Sequence, residues 1–180
     1  MGVDCWDIDR DARLYQGPFP VVAHPPCGAW GQLSHFARPR PGEKELALLA
    51  VDQVRKWGGV LEHPRTSKLW SVVPLPLPGN FDAYGGYTIL VNQSWWGHKA
   101  VKKTFLYIVG IRQRDLPPIP IRFDAIGYTV ASTKNRKTGI RVSRELSKKQ
   151  RHVTPKAFAE WLIVLAESCC IKRGMPAIGL

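Results

Sequence analysis

The chain has 180 residues, of which 44% are hydrophobic, with four cysteines and a formal charge of +12. A chain of this size and composition buries one substantial core, so a single domain over residues 1–180 is expected. No apolar run reaches bilayer length and the polar start "MGVDCWDIDR" lacks the basic-then-apolar pattern of an export signal, which argues against membrane-spanning and secreted classes and for a cytoplasmic protein.

Cys169 and Cys170 are adjacent, which is not the spaced framework of a disulfide scaffold, so reduced thiols are expected. The positive charge favours polyanionic partners, because each neutralised phosphate releases counterions; nucleic acid leads over acidic proteins and anionic lipids.

In chain order, "FPVVAHPPC" reads as a short parallel strand that two prolines bring to an end. After a polar loop to about Gly42, "EKELALLAVDQVRKW" repeats Leu46, Leu49, Ala50, Val54 and Trp57 at helical spacing. Glu43 and Glu45 sit at its start and Arg55 and Lys56 at its end, matching the helix dipole. "GGVLEHP" then turns into a second strand, and strand–helix–strand at this length predicts a right-handed βαβ unit.

"VVPLPLPGNFDAYGG" is too rich in Pro and Gly for a regular element and reads as a loop. "YTILVNQSWWGH" and "KTFLYIVGI" follow as an antiparallel hairpin at the sheet edge, and "LPPIPIRF" as an extended segment. Residues 132–152 carry Lys134, Arg136, Lys137, Arg141, Arg144, Lys148, Lys149 and Arg151 against Glu145 alone, which reads as a basic loop able to contact phosphate. Near the end, Thr154 is placed to cap a helix with Pro155 in its first turn, and Phe158, Trp161, Leu162, Leu165 and Cys169 form one apolar stripe. The expected fold is α/β: one open, mostly parallel sheet with an antiparallel edge hairpin and flanking helices.

Three successive strand ends carry reactive or stacking residues. Cys27 follows two prolines at a strand terminus, where open α/β sheets place ligands, and is a candidate nucleophile. Glu62 and His63 end the next strand, and Trp95, Trp96 and His98 the third. Trp30, Trp95 and Trp96 are candidates for stacking on a base, whereas Trp6, Trp57, Trp70 and Trp161 read as packing residues. A competing reading takes His24, Cys27, His63 and His98 together as ligands for Zn²⁺ or another borderline metal, although they form no compact ligand motif.

"PPC", then "GGVLEHP", then "WWGHKAVKKTFLYIVGIR" resembles the ordered core of DNA cytosine-5 methyltransferases, whose PPC cysteine, ENV or ENP glutamate and "YGVPQxRxRxFIVG" strand occur in that order. The chain is most similar to the small methylase-like proteins of bacteriophages and prophages, over roughly Val21 to Arg112, with "HVTPKAFAEWLIVLA" resembling the family's last helix. The resemblance implies a truncated Rossmann-like methyltransferase core acting on DNA in a bacterial host cytoplasm. It implies that Cys27 attacks C6 of a flipped pyrimidine and that Glu62 hydrogen-bonds the base at N3 and its exocyclic amine.

Lys102 and Lys103 fall near the family's paired arginines, and S-adenosylmethionine is the implied methyl donor. The family's Gly-rich donor loop has no counterpart before Cys27; Asp7, Asp9 and Asp11 are the candidates for the acidic group that binds the donor ribose. Two readings follow: a reduced base-modifying enzyme, or a catalytically degenerate methylase-fold protein that binds nucleic acid or a host defence factor.

Overall fold

A computed structural model describes residues 3–32, 34–122, 128–130 and 144–169. β1 (Val21–Ala23) leads through 3-10 turns at Gly28–Trp30 and Ser34–Phe36 into α1 (Glu45–Trp57), which returns the chain to β2 (Gly59–Pro64). Gly58 closes α1 at φ 81°, a conformation open to a residue without a Cβ, and donates its N–H to the Val54 carbonyl at 2.9 Å. β1 and β2 pair in parallel with Val21 opposite Gly59, so the expected βαβ unit is present.

A short helix α2 (Leu69–Val72) and a loop lead to β3 (Tyr87–Asn92). A 3-10 turn at Gln93–Trp96 and β4 (Ala100–Val101) then lead to β5 (Lys103–Val109). The four-stranded sheet has the order β1-β2-β5-β3. β5 runs antiparallel to both β2 and β3, so the hairpin is confirmed, but the sheet is mixed rather than mostly parallel. The link from Asn92 to Lys103 is too short for the crossover that a parallel return needs, which forces β5 to run back against its neighbours.

A second sheet was not expected from the sequence. β4 pairs in parallel with β6 (Tyr128–Thr129), and β6 with β7 (Arg144–Glu145). The described end of the basic segment is therefore not loop. It is β7 followed by α3 (Lys148–His152), whose N-terminus carries a capping box between Ser147 and Gln150. Arg151 turns back onto this piece, with an ion pair to Glu145 at 3.5 Å and a hydrogen bond to the Leu146 carbonyl at 2.9 Å. Lys134, Arg136, Lys137 and Arg141 lie outside the described residues.

Side chains alternate across the main sheet and feed two cores. Leu61, Phe105, Tyr107 and Val109 face α1, against Ala47, Ala50, Val51 and Val54. The buried stripe of α1 is thus turned from the expected one: Leu46, Leu49 and Trp57 are half-buried at its margin. Val60, Leu106, Ile108, Tyr87, Ile89 and Val91 face α4 (Lys156–Glu167), which buries Phe158, Trp161, Leu162 and Leu165 as its stripe predicts, with Cys169 just beyond. Pro155 rather than Thr154 occupies the N-cap position, and its carbonyl accepts the N–H groups of Phe158 and Ala159. The Pro-rich segment after β5 is extended, and the Pro118 carbonyl accepts the Trp161 indole N–H at 2.9 Å. Among the described residues no helix is long and apolar enough to cross a membrane.

Candidate active site

Parallel pairing of β1 with β2 makes both strands leave the sheet at the same edge. At that edge β1 runs into His24, Pro25, Pro26 and Cys27. The prolines have no N–H to extend the ladder, so the chain turns and Cys27 starts the 3-10 turn at Gly28–Trp30. Its carbonyl accepts the Trp30 N–H at 3.1 Å.

Glu62 is largely buried near the end of β2, on the face that carries Val60. Its Oε2 lies 3.1 Å from His24 Nδ1, and its Oε1 accepts from Gln93 Nε2 at 3.0 Å. The same Gln93 amide donates to the Thr104 hydroxyl at 3.1 Å, and Thr104 donates to the Lys102 carbonyl at 3.3 Å. Gln93 and Thr104 are fully buried. The Asn92 side-chain oxygen takes the Lys102 N–H at 3.0 Å and the Ser94 N–H at 3.3 Å, fixing the hairpin end beside the carboxylate.

This arrangement settles the charges. Burial opposes ionisation of Glu62, but the hydrogen bond and charge of His24, then Lys102 and His63, outweigh it and hold the carboxyl below its ordinary value. Cys27 is half-buried; burial and then the Glu62 charge push its thiol up, against a smaller opposing pull from Lys102. A carboxylate and a protonated thiol therefore share one electrostatic neighbourhood at rest, with Lys102 as the cation acting on both.

Other candidates go elsewhere. His63 follows Glu62 in the strand and so points to the opposite face, where it is fully buried with its ring 6.5 Å from that of Trp70. His98 is buried at the hairpin link, its Nδ1 2.8 Å from the Ala100 carbonyl oxygen and 3.1 Å from the Ala100 nitrogen, which makes it a loop anchor. Among the described residues no three His, Cys, Asp or Glu side chains gather as a metal-ligand group, so the convergence of His24, Cys27, His63 and His98 that the competing metal reading needs does not form.

Trp30 and Trp96 are core residues rather than stacking platforms. Trp30 is buried against α1 with its indole N–H on the Lys44 carbonyl, and Trp96 packs against Phe158 and Trp161. Trp95 is half-buried beside that second core. Of the proposed phosphate contacts among the described residues, Lys102 and Lys103 stand at this sheet edge without an ion pair there, whereas Arg144 lies on β7 and Lys148, Lys149 and Arg151 on α3, with Arg151 paired to Glu145.

The acidic N-terminal stretch does not fit a donor site at this edge. Asp7 accepts the Asp9 N–H at 3.0 Å, Asp9 is exposed, and Asp11 is committed to a two-point contact with Arg13. The turn that holds Asp11 is pinned by Gln53 on the Ala12 carbonyl, and Tyr15 packs on Trp57. It therefore lies near the amino end of β2, a strand length away from Glu62.

Sequence reasoning missed Gln93 and Thr104. Parity was the available signal for Thr104: it shares a face with Leu106 and Ile108, so a polar residue stands in a core register. No family model, curated protein or solved structure matches the chain.

Proposed function

We propose that the chain modifies a pyrimidine base in nucleic acid, with Cys27 as nucleophile and Glu62 as the group that binds the base, on a reduced Rossmann-like methyltransferase core. The observation that carries this reading is the placement of Cys27 and Glu62 at one edge of two adjacent parallel strands, with the Glu62 charge acting on the thiol. Addition of the sulfur to C6 of a pyrimidine gives C5 carbanion character, and the Glu62 carboxyl group, taking up a proton from solvent as the base binds, donates to N3 and accepts from the exocyclic amine, which stabilises the negative charge that develops. Gln93 and His24 occupy both Glu62 oxygens and so orient the group for an incoming base.

The thiol must lose its proton, to solvent, to react. A base that engages Glu62 screens its negative charge and so removes part of what keeps the thiol protonated, coupling activation of Cys27 to occupancy of the site. S-adenosylmethionine is the donor that the resemblance implies, but Asp7, Asp9 and Asp11 are not placed to hold it. That misplacement favours a second reading, in which the same surface binds nucleic acid or a host defence factor without turnover.

Mass spectrometry of nucleosides from DNA of cells expressing the protein separates the two. A modified pyrimidine is expected with the unaltered chain and is expected to vanish with Cys27→Ala and with Glu62→Gln. Identical nucleoside profiles for all three would overturn the catalytic reading, and a flat calorimetric isotherm with S-adenosylmethionine would remove that donor.

A further inference from the structure

The segment "SHFARPRP" follows Cys27 by one turn, within a stretch whose sequence reads only as polar loop. It presents Phe36 at 77% exposure, with the exposed His35 ring beside it at 4.1 Å between centroids. A single exposed aromatic is ordinary, but this pair is held in place against the site. The Lys68 ammonium donates to Ser34 Oγ at 3.1 Å and the Lys68 N–H donates to the Trp30 carbonyl at 2.8 Å, which ties the loop to the chain just after β2. A Cβ built on Gly28, next to Cys27, would meet Ala37 at 3.9 Å, so the loop lies directly on the nucleophile's own turn.

Cations frame the rings. Arg38 and Arg40 are exposed and form no ion pair among the described residues. Each precedes a proline, which biases it to extended backbone and lowers the entropy lost when a ligand orders the loop. Glu43, the carboxylate closest in sequence, is engaged by the Arg40 backbone N–H at 3.0 Å and pairs with neither guanidinium among the described residues. The face is therefore aromatic and cationic, the combination that holds unpaired bases by stacking and their backbone by charge.

We infer that His35, Phe36, Arg38 and Arg40 form a binding platform for single-stranded nucleic acid, which seats the nucleotide next to the one that enters the Cys27–Glu62 site. The inference rests on the proposed function only for the class of ligand. It goes further in choosing the strand type, because stacking on an exposed ring needs a base that is not already stacked in a duplex.

The test is fluorescence anisotropy of the full chain with a labelled twelve-nucleotide oligo(dT) and with a hairpin duplex, at about 50 mM and 200 mM salt. Phe36→Ala is expected to weaken oligo(dT) binding about 5- to 150-fold, whereas Phe36→Trp stays close to the unaltered protein. Arg38→Gln with Arg40→Gln is expected to lower the slope of log K against log salt by about 1.4, since each phosphate contact on a single strand contributes about 0.7. Phe36 is exposed, so these variants fold, which circular dichroism checks.

Equal affinity of Phe36→Ala and the unaltered chain would overturn the inference, as would absent oligo(dT) binding at low salt or binding to the duplex as tight as to the single strand. Binding is read apart from turnover. Loss of the Phe36 effect with base modification intact would strike this inference alone, and intact binding without modification would strike only the catalytic reading.

Discussion

Glu62 and His63 are consecutive, and the alternation of β2 gives them opposite environments and opposite consequences. Glu62 reaches the sheet edge and finds His24, Gln93 and Lys102. His63 enters the α1-side core, where its ring is fully buried. Burial lowers its pKa to about 4, with Glu62 and the Pro26 backbone opposing only in part. The unfolded chain then binds a proton that the folded chain refuses between about pH 6.5 and 4, so stability present at pH 7 is lost as pH falls through that window. Urea unfolding is expected to show a loss on the order of 2 kcal/mol between pH 7 and pH 5 from this group. His63→Leu is expected to flatten the profile, and an unchanged slope in the variant would place the titration elsewhere.

The βαβ unit that brings Cys27 to Glu62 depends on one backbone position. Gly59 begins β2 at φ 115°, and a Cβ there would stand 2.1 Å from the Val21 carbonyl oxygen and 2.5 Å from the Val21 nitrogen. Those are the atoms by which β1 approaches β2, so a side chain must push the strands apart. Gly59→Ala is expected to destabilise the fold by more than about 3 kcal/mol and to reduce soluble yield. Gly28→Ala is the control: its new methyl meets Ala37 at an ordinary 3.9 Å, and a change within about 0.5 kcal/mol is expected in thermal or urea unfolding. Equal costs for the two variants would show that close approach at Gly59 does not limit the pairing.

For the molecule as a whole, one sheet serves two cores: α1 covers one face and α4 the other, while β2 and β5 contribute alternate residues to both. Removing a core side chain on either side weakens strands that the other side also needs. Phe158→Ala on α4 is expected to cost about 3–5 kcal/mol and Leu61→Ala, facing α1, about 2–5 kcal/mol. In both variants tryptophan fluorescence and far-ultraviolet circular dichroism are expected to report coincident midpoints. Separate transitions would show that the two layers fold as independent units.

Much of this was legible in the sequence wherever a short-range rule applied. Helical periodicity and charged ends marked α1, β-branched runs closed by Pro marked β1 and β2, and the apolar stripe marked α4. That the strands ending near Cys27 and Glu62 are neighbours was readable because the order strand–helix–strand sets which strand ends lie side by side. The tertiary structure alone decided the rest, since it depends on parity and on contacts between distant segments. It sent His63 to the α1 face and Glu62 to the opposite one, recruited Gln93 and Thr104 to the carboxylate, and buried Trp30 and Trp96 while leaving Phe36 in the open. A sequence lists which groups are present; which face each one occupies is fixed only when the sheet twists its strands into register and the helices choose the sides they cover.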